Sequence, residues 1–453
     1  MLVSDILKNI KYTTASEELL TADVPDISSD SRKADNAVLF FAYKGSSFDS
    51  HDEAVRLYTE GKITGAVAER ELDIPCVVVE NGRHAFSKAC SNYFGNPAAA
   101  LTTVAVTGTN GKTTITWLIE KIFNTAGMPC VRIGTTGASI MGKTVELDNT
   151  TPSPYDFYSF LAEGVKAGAK TAVAEVSSHA LEQDRLYGMV FDVAIYTNLT
   201  GDHLDYHPDL ESYYLAKKKL FGEYSRKHVI NISNDYGKRL YDEAGAPKIS
   251  FGINAGDISA SRYTFTADGT RATISCNVRT QSETRSDLLE GKDYSLESPL
   301  VGEFNLENIL AAVSGTVAAG VVPEVAVKAA GMLENVPGRL ERYSDKGVSV
   351  FVDYAHTDDA LKNVLETLRI LADRHLITVF GAGGDRDNAK RPRMGKVAQR
   401  YSDLVVVTSD NPRTEDPLRI IADITAGMVM DDIVHVEPDR EKAIAYAINA
   451  AEA

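Results

Sequence analysis

Short apolar runs, set apart by helical stretches and Gly-bearing turns, give this chain its rhythm. Val104-Ala105-Val106, Ala172–Val176, Val193–Tyr196 and Val229–Ile232 are predominantly apolar, and each stands between helical segments. Strands buried on both faces lose the alternation of polar and apolar positions, so such runs predict a parallel sheet covered by helices on both sides. Val38–Ala42 and Cys76–Val79 repeat the pattern in a smaller mixed α/β unit that ends at the Asn96-Pro97 break. Ile258 to Tyr294 is different: it is polar, Thr- and Ser-rich, and carries Asp268-Gly269 between alternating segments. That reads as an antiparallel excursion within the middle of the chain. A helix is expected near Asn305–Ala319, Pro323 is expected to break the pattern, and Val336-Pro337-Gly338 reads as a hinge. Beyond it, strands at Val348–Val352, Ile377–Phe380, Leu404–Val407 and Ile433–Val436 alternate with helices as a second open α/β unit. The fold class is therefore α/β in three domains, 1–97, 98–336 and 337–453.

Composition narrows the class. A chain of 453 residues has room for two to four cores, and 44% hydrophobic with 24% charged residues is ordinary for globular proteins. The net charge of −16 argues against general binding of nucleic acid or of anionic membranes. Cys76, Cys90, Cys130 and Cys276 lie far apart with no CxxC pair and read as reduced, small apolar residues. The sequence has no apolar run of membrane-spanning length, and Met1 to Ile10 lacks the features of a signal peptide. The expectation is a cytoplasmic monomer without membrane insertion.

The strongest chemical signal is Val104-Ala105-Val106-Thr107-Gly108-Thr109-Asn110-Gly111-Lys112-Thr113-Thr114. A strand feeds a Gly-bearing loop that opens a helix. Backbone N–H groups there can cradle phosphates, Lys112 can bridge the outer phosphates and Thr113 can ligate Mg²⁺. Val106 stands where the general pattern places its first Gly, so the fit is GxxGKT. Phosphate binding alone is compatible with a GTPase, kinase, motor or ligase; no Asn-Lys-x-Asp guanine-reading segment is present. Glu175 ends a buried strand and is either a metal carboxylate or a solvated strand end. His203 taken alone is more often a hydrogen-bonded structural histidine than a ligand. Lys217, Lys218 and Lys219 taken alone are a solvated helix face.

Together these segments resemble one family. TGTNGKTT, EVSSHALEQDR and TNLTGDHLDYH with an Ala-Lys pair downstream are similar to the Mur ligases, and within them to the MurE type, which adds the third peptide residue to UDP-N-acetylmuramoyl-dipeptide. GEFNLEN (302–308), VPGR (336–339), DYAHT (353–357), GGDRD (383–387) and DNPR (410–413) agree, so the resemblance runs from about Asp30 to Ala453. It implies an N-terminal UDP-substrate domain, a central ATP-binding domain and a Rossmann-like C-terminal domain for the incoming amino acid. It implies ATP at Gly108, Thr109, Asn110, Gly111, Lys112, Thr113, Thr114, Asn305, Asn308, Arg339 and Asp353. It implies one Mg²⁺ on Thr113 and Glu175 and a second on His203 and a CO₂-derived carbamate of Lys217, leaving Lys218 and Lys219 at the surface. Ser31, Asn149, Thr150, Thr151, Ser177, Gln183 and Arg185 would meet the UDP-MurNAc-dipeptide. Asp358 replaces the family's usual Pro, with little expected effect.

The implied reaction is amide formation through an acyl phosphate. Arg386, Asp410, Asn411, Pro412 and Arg413 would hold the added amino acid. A guanidinium holds a carboxylate by paired hydrogen bonds and repels an ammonium, so Arg413 favours meso-diaminopimelate over L-lysine. Family members continue into a further strand and a Gly-Lys-Gly-His-Glu motif that this sequence lacks, which sets weakened amine binding as an expectation. The competing readings are a lysine-adding ligase, a folylpolyglutamate-type ligase, and a nucleotide- and UDP-sugar-binding protein with weak turnover.

Overall fold

The computed structural model describes residues 1–45, 48–201, 206–245, 247–266, 269–278, 291–345 and 347–451. His203, Asp268 and the excursion's residues 279–290 lie outside them.

Three α/β units follow one another. The first holds a five-stranded sheet in the order Thr14–Ala15, Cys76–Val78, Ile63–Ala68, Val38–Ala42, Ile27–Ser28. Only the pair of Thr14–Ala15 with Cys76–Val78 is antiparallel. All of Val38–Ala42 is buried, which is why this strand reads as an unbroken apolar run. Phe86 and Cys90, on the helix Gly82–Tyr93, share a core cluster with Phe157, Leu181 and Leu186 of the second unit, so an apolar seam joins the two.

The second unit is an 11-stranded sheet. Its strands run parallel from Ile258–Thr266 through Lys248–Ile253, Ser225–Asn231, Phe191–Tyr196, Thr102–Thr107 and Thr171–Glu175 to Cys130–Gly134. Antiparallel strands extend both edges: Gly269–Cys276 and Lys292–Ser298 on one side, Gly137–Ile140 and Lys143–Val145 on the other. The polar excursion is thus part of this sheet. The helix Glu303–Ala318 is buried along almost its whole length and packs against Lys112–Thr125. Pro323 does not merely interrupt: it opens a new helix, Pro323–Ala330, at the first turn, where its missing N–H leaves no bond unmade.

In the third unit the sequence expectation needs a correction. Val348–Val352 does not join the parallel sheet but pairs antiparallel with Glu341–Asp345 as a two-stranded ribbon. Its residues are half-buried or exposed, unlike the buried Leu404–Val407, and Gly347 at φ +86° serves the tight connection. The parallel sheet proper is Ile377–Phe380, Leu404–Val407 and Val434–Val436, flanked by the helices Asp358–Leu371, Lys390–Tyr401, Pro417–Thr425 and Arg440–Ala451. Asp358 takes the first position of its helix, where Pro fits equally well. The four cysteines are free. No helix among the described residues is long and apolar enough to cross a membrane.

Candidate functional site

Strand Thr102–Thr107 delivers the chain into the loop 108–111, and helix Lys112–Thr125 leaves it. Gly111 sits at φ +90°, and a Cβ there would overlap Asn308 Oδ1, so backbone and neighbour both require glycine. The adjacent strand's exit buttresses the loop. Thr109 N–H donates to the Asn198 carbonyl at 2.9 Å, Asn110 N–H to Asn198 Oδ1 at 2.9 Å, and Thr197 Oγ1 to the Asn110 carbonyl at 2.8 Å. Lys112 Nζ donates to the carbonyls of Gly108 and Thr109, each at 2.8 Å. Lys217, 1% exposed on helix Leu210–Lys218, donates to the same Gly108 carbonyl at 2.9 Å. Two ammonium groups and a helix N-terminus converge on one loop, a strong anion receptor. Lys218 and Lys219 pair at the surface with Glu243 and Glu182.

Glu175 closes the neighbouring strand and is fully buried. Thr135 N–H donates to its Oε1 at 2.9 Å and Thr135 Oγ1 to its Oε2 at 3.1 Å. Its backbone carbonyl accepts from Thr151 Oγ1 at 2.8 Å, and Thr151 Oγ1 accepts from Ser177 N–H at 3.0 Å. Half-buried Arg185 donates to the Thr151 carbonyl at 2.6 Å, while Gln183 Oε1 takes its Nε and Nη2. Burial draws the Arg185 pKa below the ordinary arginine value, yet a guanidinium stays cationic in proteins.

Across the cleft stand two loops of the third unit. Gly384 N–H donates to the Asn411 carbonyl at 2.9 Å, Arg413 Nη1 to the Gly384 carbonyl at 3.3 Å, and Thr414 Oγ1 to Asp385 at 2.8 Å. Arg391, 1% exposed, ties them from below through Glu415 and Asp423, both at 2.8 Å. The Arg391 guanidinium holds the Glu415 carboxyl down at about 2. Arg339 reaches across to the phosphate loop, its Nη2 donating to Thr113 Oγ1 at 3.2 Å. Asp353 braces this crossing: its oxygens accept the Leu340 and Ala355 N–H groups, both at 2.8 Å, and burial still raises its pKa.

These parts line one cavity of about 1110 Å³ between the second and third units. Thr109 to Thr114, Glu175, Lys217, Asn308, Arg339 and Asp353 all face it. So do Asn149, Thr150, Thr151, Ser177 and Arg185 on one side, and Arg386, Asp410, Asn411 and Arg413 on the other. Gly108, Gln183, Asn305 and Pro412 stand behind this lining; Asn305 Oδ1 accepts from Asn308 Nδ2 at 3.2 Å and so orients it. Ser31 lies in a turn of the first unit, away from the cavity. Among the described residues no part of 1–97 lines it. The first unit reaches it through the segment carrying Arg185: His84 Nε2 lies 3.0 Å from Asp184 Oδ2, and Ser87 Oγ donates to the Arg185 carbonyl at 3.2 Å. Thr135 was not singled out in the sequence, and Asn198, though inside the TNLTGDHLDYH motif, was given no role there; the structure places Thr135 on Glu175 and Asn198 on the phosphate loop.

Three arginines in this cavity, Arg185, Arg386 and Arg413, have no carboxylate partner among the described residues. Among the described residues the whole lining carries nine Lys and Arg side chains against seven Asp and Glu, a local positive excess in a chain of net charge −16. No group of three His, Cys, Asp or Glu gathers among the described residues, so an all-protein metal cage is not what they build. The Thr113 hydroxyl, in the first turn of the loop's helix, and the Glu175 carboxylate, at the end of the strand beside Thr102–Thr107, are hard oxygen donors. They fit Mg²⁺, which takes one or two protein oxygens and completes its shell with phosphates and water.

Residues 106–315 match the Mur ligase middle domain, and residues 338–453 match the Mur ligase glutamate ligase domain. The chain is 39% identical to the UDP-N-acetylmuramoyl-L-alanyl-D-glutamate--2,6-diaminopimelate ligase of Solibacter usitatus (strain Ellin6076), covering 100% of this chain and 91% of that protein. It is 42% identical to the protein of the same name from Geobacter metallireducens, covering 94% of this chain and 84% of that one. A solved structure of a UDP-N-acetylmuramoyl-L-alanyl-D-glutamate--2,6-diaminopimelate ligase superposes with a TM-score of 0.71 at 31% identity, over 98% of this chain and 90% of that chain. Matched at this identity over most of its relatives' length, and with a phosphate loop opening on the same cavity as Arg185, Arg386 and Arg413, the chain belongs to the Mur ligase family of ATP-dependent, peptide-bond-forming ligases.

Proposed function

We propose that this chain joins meso-diaminopimelate to UDP-N-acetylmuramoyl-L-alanyl-D-glutamate, driven by ATP, in the assembly of peptidoglycan precursors in the cytoplasm. The observation that carries the reading is one cavity in which the phosphate loop faces Arg185, Arg386 and Arg413, which have no carboxylate partner among the described residues. The substrates bring the matching anions: the phosphates of ATP, the carboxylates of a D-glutamyl peptide and the two carboxylates of diaminopimelate. The names of the relatives at 38–42% identity support the same amino acid. L-Lysine offers Arg413 an ammonium where diaminopimelate offers a carboxylate, so the lysine reading is disfavoured.

In this reading the three units divide the work. Residues 1–97 hold the UDP end through Ser31, residues 98–336 bind ATP and the sugar-peptide, and residues 337–453 bring the amino acid. Lys112 and the loop N–H groups orient the β- and γ-phosphates, while Asn308, Arg339 and Asp353 face the nucleoside. Arg185, oriented by Gln183, holds a peptide carboxylate beside Thr150, Thr151 and Ser177. The γ-carboxylate of the D-glutamyl residue attacks the γ-phosphorus, an O–P bond forms, and ADP leaves. The amine, held by Arg386, Asn411 and Arg413, then attacks the acyl phosphate; it forms the amide, loses a proton and releases phosphate. Most of the acceleration is positioning and charge stabilisation. Thr113 and Glu175 would hold one Mg²⁺, and His203 with the Lys217 carbamate a second; bound Mg²⁺ supplies screening of the repulsion between the attacking carboxylate and the phosphates.

The Lys217 carbamate has a local rationale. Lys112 and Lys217 share one carbonyl acceptor, and like charges so close repel. Addition of CO₂ to the neutral amine, with loss of a proton, replaces one cation by an oxygen anion suited to a hard metal.

A phosphate-release assay with UDP-MurNAc-L-Ala-D-Glu, ATP and Mg²⁺ tests the reading, with meso-diaminopimelate, L-lysine or no amine. Release with diaminopimelate well above the other two is expected. Faster release with L-lysine would overturn the specificity, and no release in any arm would overturn the activity.

A further inference from the structure

Glu175 is held by a turn that is itself held from behind. Thr135 and Thr136 form the two-residue connection between strands Cys130–Gly134 and Gly137–Ile140, with Gly134 paired to Gly137. A Cβ on Gly134 would overlap Glu175 Oε1, so the carboxylate lies directly on the backbone at the end of its neighbouring strand. On the far side Thr136 Oγ1 accepts from Trp117 Nε1 at 3.0 Å and from Arg132 Nη1 at 2.8 Å. Arg132 is 1% exposed, lies 4.1 Å from the Trp117 ring centre, and donates from Nε to Glu120 at 2.7 Å. One threonine thus pins the turn to the core while the other faces the cavity.

Thr135 Oγ1 also lies 3.0 Å from Thr150 Oγ1. A hydroxyl has one proton to give, and a carboxylate has none. The Thr135 proton is therefore committed to Glu175 Oε2, and its oxygen receives the Thr150 proton. That leaves Thr150 Oγ1, in the cavity lining, as an acceptor only. We propose that Thr135 is a positioning residue that presents Glu175 and, through this one-way chain, fixes Thr150 as the acceptor for an N–H or O–H group of the sugar-peptide substrate. The inference rests on the proposed function for the identity of that substrate.

The test uses the full chain and binding rather than turnover. Affinity for UDP-MurNAc-L-Ala-D-Glu is measured by calorimetry for wild type, Thr135→Val, Thr150→Val and the double variant. Mn²⁺ affinity in the presence of a non-hydrolysable ATP analogue is measured by electron paramagnetic resonance. Thr135→Val is expected to weaken both, by roughly ten- to a hundred-fold for Mn²⁺, the range for losing a hydrogen bond to a charged group. The double variant is expected to bind the UDP-sugar peptide no worse than the weaker single variant, because both break one chain. Thr135→Ser, which keeps the hydroxyl, is expected to restore both affinities, and Thr135→Ala replaces Thr135→Val if thermal melting shows the valine variant unfolded. Wild-type affinities in Thr135→Val, or strictly additive losses in the double variant, would overturn the inference while the proposed function stands. A wild-type chain that does not bind the UDP-sugar peptide would overturn the proposed function and the inference with it.

Discussion

Gly108 O carries two lysines, and the consequences of that arrangement differ for each. Lys112 stands at the first turn of the loop's helix, so Lys112→Met removes a charge-stabilising group without disturbing the backbone. It is expected to lower kcat by about 10²–10³, the usual loss for one preorganised donor, in steady-state phosphate release. Lys217 carries the carbamate in the proposed reading. CO₂-depleted buffer should therefore lower wild-type activity and bicarbonate restore it, while Lys217→Ala should be weak and insensitive to bicarbonate; ¹³C NMR after exposure to ¹³CO₂ would locate the carbamate carbon in wild type alone. A wild type indifferent to CO₂, without that resonance, would remove the carbamate from the scheme. At this scale the phosphate loop was legible because strand, glycines, lysine and threonine are contiguous. The roles of Thr135 and of Asn198, the latter inside TNLTGDHLDYH, were not, because neither residue is near the loop in sequence. The sheet order, which sets Thr102–Thr107 between Phe191–Tyr196 and Thr171–Glu175, brings them there.

Elements were legible where burial dictates composition. The strands that sit between helices are apolar because both faces are covered, and each apolar run of the central unit proved to be one. Val348–Val352 was placed in the parallel sheet because four of its five residues are apolar, yet they are half-buried or exposed and pair antiparallel with Glu341–Asp345. The helix Lys390–Tyr401 shows how an element serves the site at a distance. Its Arg391 makes no contact with the expected substrate positions, yet it joins Gly383, Glu415 and Asp423, and hence the loops bearing Arg386 and Arg413. Arg391→Met is expected to raise KM for diaminopimelate about tenfold, a loss of ~1.4 kcal/mol, with ATP affinity unchanged, and to lower the melting temperature. The same clamp has a pH signature. The Glu415 carboxyl is depressed from 4.5 to about 2 in the fold, so the unfolded chain binds the proton more readily. The clamp's contribution is thus complete above about 4.5 and is lost as pH falls toward 2. Melting temperatures measured between neutral pH and pH 3 should fall less steeply for Glu415→Gln than for wild type, since glutamine has no proton to take up.

At the scale of the whole molecule, the sequence placed the chemistry but not the partition of the cavity. Residues 1–97 were expected to share the site, yet the described cavity is walled by the second and third units alone, with the first unit buttressing it through Asp184 and Arg185. The relation of the second and third units therefore decides whether the site is assembled. They are joined by the chain around Val336–Arg339, where Gly338 takes φ +64° and Gly338 N–H donates to Glu341. One bond across that joint is chemically consequential: Arg339 Nη2 donating to Thr113 Oγ1, the hydroxyl expected to meet Mg²⁺ and phosphate. When nucleotide phosphates arrive, Arg339 can exchange a neutral acceptor for an anionic one, which is the stronger bond. Nucleotide should thus pull the third unit onto the loop, as expected for ligases that enclose a reactive intermediate. Small-angle scattering should show a smaller radius of gyration with Mg²⁺, a non-hydrolysable ATP analogue and the UDP-sugar peptide than for the chain alone. Arg339→Ala should abolish most of that contraction and weaken the ATP analogue by roughly ten- to a hundred-fold, the range for a hydrogen bond between charged groups. Arg339→Lys should recover charge but not the paired geometry, and so contract only in part. An Arg339→Ala variant that contracts as fully as wild type would mean that closure is driven from the amino-acid loops, and the same measurement with diaminopimelate alone would then show it.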